Sequence, residues 1–144
     1  MLKMFSEEVL MKKCADHTTA GTSDVEAASV DMAGYDAVCF VTSFGTAASN
    51  NTIKAQQSSD DGGSDGWSDL EGTSTTSGSS DEDCYLDIVR PTKRYVRLVG
   101  LRGTSSTLES VWAFRYRPSS SPADNTTSGT ITGEAHVSPA EGTA

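Results

Sequence analysis

The chain has no apolar run near the ~18 residues that a membrane-spanning helix needs, and its three cysteines include no C-x-x-C pair. The first absence removes a helical span; the second removes the usual zinc and thiol-redox motifs. Aromatic residues make up 7% and hydrophobic residues 35% of the 144 positions, so the chain can fill one core but not two independent ones. Basic residues are few: 11 Lys and Arg face 20 Asp and Glu, a net charge of −9 that repels a phosphate backbone. No nucleic-acid partner is expected. Two histidines, His17 and His136, lie in polar surroundings with no Ser or Cys motif beside them, so no triad is spaced for catalysis. No enzyme, cofactor or metal site is expected. Glu7 and Glu8 fall where the apolar region of a signal peptide would lie, so export by that route is not expected either.

What the sequence has in abundance is Ser, Thr and Gly, 51 residues together, which disfavours helix and favours strands joined by turns. Cys14, Cys39 and Cys84 are odd in number and far apart, as expected of reduced thiols in a protein made in the cytoplasm. Cys39 lies within the run Val38-Cys39-Phe40-Val41 and is expected to fill core space as a small hydrophobe.

Periodicity organises the rest. Leu2, Phe5 and Val9 fall at near-helical spacing, which fits either a short amphipathic helix or an extended arm over residues 1–24. Residues 25–32 alternate moderately, as a strand. Residues 35–44 (YDAVCFVTSF) set Tyr35, Ala37, Cys39 and Val41 against Val38, Phe40, Thr42 and Phe44; apolar residues on both faces predict a central strand. Residues 52–58 alternate Ile53 and Ala55 against Lys54 and Gln56, and residues 67–70 fit a short edge strand. A polar loop is expected over 72–83, then strands at 84–90, 94–102 and 108–117 whose short connections predict antiparallel neighbours. In the last of these, Trp112, Phe114 and Tyr116 share one face, expected to join Phe40 in the core. Val111, Ala113, Arg115 and Arg117 share the other, facing water or a partner.

About seven short strands with hairpin-length links predict an all-β fold, an antiparallel β-sandwich or jelly roll over residues 25–118. Residues 119–144 form an extended C-terminal arm in which 129–137 (GTITGEAHV) has a strand-like pattern. So polar a segment is expected to order by lying along a sheet edge, its own or a neighbour's.

Two features invite functional readings. The loop DDGGSDG at 60–66 offers carboxylates for a hard cation, but an EF-hand count from Asp61 puts Gly63 at position three and Gly72 at position twelve, so a solvated turn is expected. Charge is also uneven: residues 55–89 carry nine acids and no Lys or Arg, while 90–117 carry seven basic residues and one acid, Glu109. Such asymmetry can steer contacts with a partner, although solvated loops beside an Arg-bearing strand look the same.

The stretches YDAVCFVTSFG, KAQQSSDDG, WSDLEG and RYVRLVGLRG, with the terminal GEAHVSPAEGTA, resemble small β-sandwich virion structural proteins of tailed bacteriophages, some of which are capsid decoration or cement proteins. The resemblance implies a virion protein on the capsid exterior, made in the host cytoplasm. It would bind the major capsid protein and neighbouring copies of itself as a trimer or dimer, with no membrane partner. It implies that residues 129–137 add as a strand to a neighbour, Ile131 and Val137 filling shallow pockets, with Arg115, Arg117 and His136 as further contact candidates. Head–tail connectors and tail components belong to the same broad group. The residues alone leave open a carbohydrate-binding or adhesin module in which Trp67 and Trp112 form a sugar platform.

Overall fold

The computed structural model describes residues 2–143; Met1 and Ala144, the outermost residues of the two expected arms, lie outside it. After one helical turn, α1 (Phe5–Glu8), the described residues form twelve strands. These are β1 (Leu10–Ala15), β2 (Thr18–Gly21), β3 (Val25–Glu26), β4 (Val30–Asp31), β5 (Tyr35–Thr46), β6 (Asn51–Ser58), β7 (Ser68–Asp69), β8 (Thr75–Ser77), β9 (Glu82–Val89), β10 (Tyr95–Leu101), β11 (Ser106–Leu108) and β12 (Val111–Pro118). They make two antiparallel sheets packed face to face, an all-β sandwich. The first sheet runs β1-β12-β5-β11-β2 with β9 on β5; the second runs β3-β10-β6-β7, with β4 on β10 and β8 on β6.

β5 is the central strand that its two apolar faces predict, flanked by β12 and β9. Its Val38, Phe40 and Phe44 are fully enclosed between the sheets, against Ile53 and Ala55 of β6, Val96 and Leu98 of β10, and Leu108, Val111 and Ala113 from β11 and β12. The sheets approach so closely at Gly100 that a Cβ there would lie 2.8 Å from Leu108 Cδ2. A side chain there would force Leu108 to move.

Four expectations change. Residues 10–21 are not an arm: β1 and β2 are end strands of the first sheet, because Cys14 buries in the core and draws the segment into the ladder. Residues 25–32 form two separate two-residue ladders, β3 and β4, with Ala27 packed into the core between them. The loop expected at 72–83 contains β8. The strands β9, β10 and β12, expected as successive neighbours, do not pair with one another, and a short strand, β11, intervenes between the last two. β9 and β12 flank β5 while β10 joins the other sheet, since each must bury one face against the opposite layer. Arg90, in the left-handed region at φ 54°, turns the first of these corners and donates its N–H to the Asp36 carbonyl at 2.7 Å.

Candidate interaction surfaces

β12 presents its aromatic residues outward, contrary to expectation. In register with β5, Ala113 lies opposite Phe40 and Arg115 opposite Val38, so the small residues of β12 fill the core beside the Phe40 ring. Trp112, Phe114 and Tyr116 are half-buried on the sheet's outer face and lie outside the core cluster that holds Phe40. Three rows cross that face: Lys13, Trp112, Val41 and Tyr85; Met11, Phe114, Cys39 and Asp87; Tyr116, Ala37 and Val89. Trp112 and Phe114 stack with ring centres 6.4 Å apart at 19°, and Phe5 of α1 tilts against Phe114 at 6.1 Å. Phe5, Val9, Cys39, Phe114 and Tyr116 line a shallow apolar crevice. Tyr85 remains 69% exposed and Val89 47%, although both point from a paired strand. Tyr116 donates its hydroxyl to Asp87 at 2.6 Å, and this bond to a carboxylate pushes the phenol up to about 12.

The outer face of the second sheet has the opposite character. Arg97 holds Glu26 through two bonds of 2.9 and 3.1 Å, donates to Gln56 at 2.9 Å, and lies 4.5 Å from the centre of the Trp67 ring. Lys54 and Gln56 both reach Asp69, and Arg94 grips Asp31 at 2.7 and 2.9 Å. The basic run after residue 90 is thus largely used within the subunit. Lys93 holds Asp65, and Arg102 is buried on the carbonyls of Thr19, Ser23 and Ser106. Trp67 and Trp112 sit on opposite sheets and form no common platform.

The loop at 60–66 has its carboxylates taken up by its own backbone and by neighbouring side chains of the subunit, Ser29 on Asp61 among them. Asp60 accepts the N–H groups of Gly63, Ser64 and Asp65 at 2.7–3.2 Å, which lowers its pKa. Asp65 accepts from Ser59 and Lys93, whose ammonium holds it down at about 2. Among the described residues no three His, Cys, Asp or Glu side chains gather as a metal set, and no helix is long and apolar enough to cross a membrane.

The contact candidates separate. Arg115 turns inward: its Nη1 donates to the Asp31 carbonyl at 2.8 Å, its guanidinium lies over Tyr35, and burial lowers its pKa. Its guanidinium is thus held within the subunit, while the half-buried residue still lines the groove beside β1. Arg117 is exposed at φ 55°. Residues 129–137 form no strand in this subunit, since a turn from Thr126 to Gly129 and a lack of apolar partners leave them irregular. Ile131 is half-buried near Met11, whereas His136 and Val137 are exposed, His136 lying 2.9 Å from Glu134. His17 lies 3.0 Å from Glu109.

The arm is nevertheless fixed at its base. Ser119 N–H donates to the Gly34 carbonyl, Ala123 N–H to Glu7, and Ser121 to the Glu8 carboxylate. The Asn125 side chain bonds Met11, Val9 and Ser6 of the N-terminal segment. Sequence patterning missed this clamp, because a lone Asn in a polar tail carries no periodic signal. No protein-family model, curated protein or solved structure matches the chain.

Proposed function

We propose that this is a non-enzymatic structural protein that coats a repeating shell, a virion component of the capsid decoration or cement type. The observation that carries the reading is the contrast between its two outer faces. The second sheet closes its surface with ion pairs; the first leaves Trp112, Val41, Tyr85, Cys39, Phe114 and Val89 as one apolar field. An open apolar sheet face rimmed by Lys13, Asp83 and Asp87 is suited to being covered by another protein. The residue-level resemblance to phage virion proteins supplies the kind of assembly. Many weak copies on a symmetric lattice gain avidity, and binding only the assembled state stabilises it by mass action.

The test is velocity sedimentation of the native source with mass spectrometry of the fractions. Stoichiometric travel with megadalton particles, in a copy number matching the shell, supports a decoration role; a few copies per particle assign it to the neck or tail. Recovery near the top of the gradient overturns the virion reading. Tyr85→Ser is expected to weaken rebinding to stripped particles while leaving the fold intact.

A further inference from the structure

β1 ends its sheet, and its free edge is met by a side chain where another strand would pair. The Asn125 Nδ2 donates to the Val9 carbonyl at 2.9 Å and its Oδ1 accepts the Met11 N–H at 2.6 Å. In a parallel ladder a residue donates to the carbonyl just before its opposite number and accepts the N–H just after it. The Asn125 amide makes this pair of bonds around Leu10. One side-chain amide therefore stands where one residue of an added parallel strand belongs. The Met11 carbonyl lies on the same side of the strand as its N–H, next along the edge. Past Asn125 a groove continues between Leu10, Met11 and Lys13 on one wall and Thr127, Thr130 and Ile131 on the other. A partly paired edge of this kind is a template for strand addition.

The same chain carries a matching donor. Residues 129–137 alternate Ile131, Gly133, Ala135 and Val137 against Thr130, Thr132, Glu134 and His136, a strand period with no strand partner in its own subunit. The subunit's own tail turns just after Asn125, where Gly129, at φ 70°, donates its N–H to the Thr126 carbonyl, and its Thr130 and Ile131 form the far wall of the groove without pairing to β1. Charge favours the pairing. β1 brings Lys12 and Lys13 and no acid, while 119–144 bring Asp124, Glu134 and Glu141 and no Lys or Arg. Lys12 is turned to the Ser29 carbonyl; Lys13 holds Asp16 in an exposed pair, a weak contact that a Glu134 carboxylate can replace. Residues 129–137 extended span about 30 Å, more than the stretch of β1 left between the Asn125 amide at Leu10 and the Cys14 carbonyl, which accepts the Ala28 N–H at 2.8 Å.

We propose that the β1 edge is the acceptor for the tail of a second copy, residues 129–137 entering the groove as a strand parallel to β1. The contact is heterologous, so repetition closes copies into a ring or links them in a chain. This deepens the assembly reading and rests on it for its purpose.

The test is sedimentation velocity of the isolated full-length protein over a wide concentration range. Wild type is expected to associate with rising concentration. The double variant Ile131→Asp with Val137→Asp is expected to stay monomeric, and Val137→Asp alone, at an exposed position, to weaken association with an unchanged melting temperature. Lys13→Glu and Glu134→Lys are each expected to weaken association a few-fold, and their combination in one chain to restore it. A monomeric wild type, a tail variant that associates normally, or tail protection from hydrogen exchange that does not vary with concentration overturns the proposal. Because the particle experiment is separate, a monomer that still coats particles removes the tail exchange and leaves the coat reading standing.

Discussion

Nδ2 of Asn51 on β6 donates to Oγ of Ser106 on β11 at 2.9 Å, with both side chains fully enclosed. The two strands belong to opposite sheets, so this bond crosses the sandwich. Asn51 Oδ1 also accepts the Gly103 N–H at 2.9 Å, and Arg102 donates to the Ser106 carbonyl. One end of the sandwich interior is therefore a satisfied polar cluster, where removing one member strands the others away from water.

Asn51→Ala is expected to cost about 2–3 kcal/mol, because the Gly103 N–H loses its acceptor and the enclosed Ser106 Oγ loses its donor. Ser106→Ala, which leaves fewer groups unpaired, is expected to cost about half as much. Urea unfolding of both variants measures this. An Asn51→Ala midpoint equal to wild type would show that the cluster contributes nothing net.

The three thiols are expected to differ in reactivity. Cys14 and Cys84 are buried, and burial pushes the Cys14 thiol up to about 11; Cys39 is half-buried in the open crevice of the first sheet, its pKa also raised by burial. A thiol reagent at about pH 8 is then expected to modify one cysteine slowly in the native protein and all three after denaturation. Cys39→Ser removes the native signal. Rapid native labelling of Cys14 would contradict its place in the core.

The central strand and the facing pattern of β5 and β6 were legible because hydrophobic alternation reports burial directly. Which face of β12 is inward was not. Trp112, Phe114 and Tyr116 form the more hydrophobic face, yet Phe40 already occupies the space that Ala113 borders. Size complementarity across two strands decides that question, and one strand read alone does not contain it. Chain connectivity failed for a related reason: short links between β9, β10 and β12 suit hairpins and sheet-crossing corners equally. Of the contact candidates, Arg115 looked like a surface charge because alternation cannot show that Asp31 waits on the opposite layer and Tyr35 on the neighbouring strand. The Asn125 clamp depends on a contact 114 residues away in sequence, which no local pattern encodes.

Stability is expected to fall in acid for a specific reason. Arg94 holds the Asp31 carboxylate, and Lys93 holds that of Asp65, each at about 2, against about 3.9 for an unfolded aspartate. Their folded-state pKa values are depressed, so the stability they contribute is fully present above about pH 4 and is lost as pH falls toward about 2. Urea unfolding is therefore expected to show a plateau from about pH 7 to 5 and a decline between about 4 and 2. Asp31→Asn and Asp65→Asn should each lower the plateau and flatten the decline, and the double variant should flatten it further. Both pairs are solvent-accessible, so added salt should shrink the difference between wild type and variants. An acid decline of unchanged steepness in the double variant would move the cause of acid unfolding away from these two pairs.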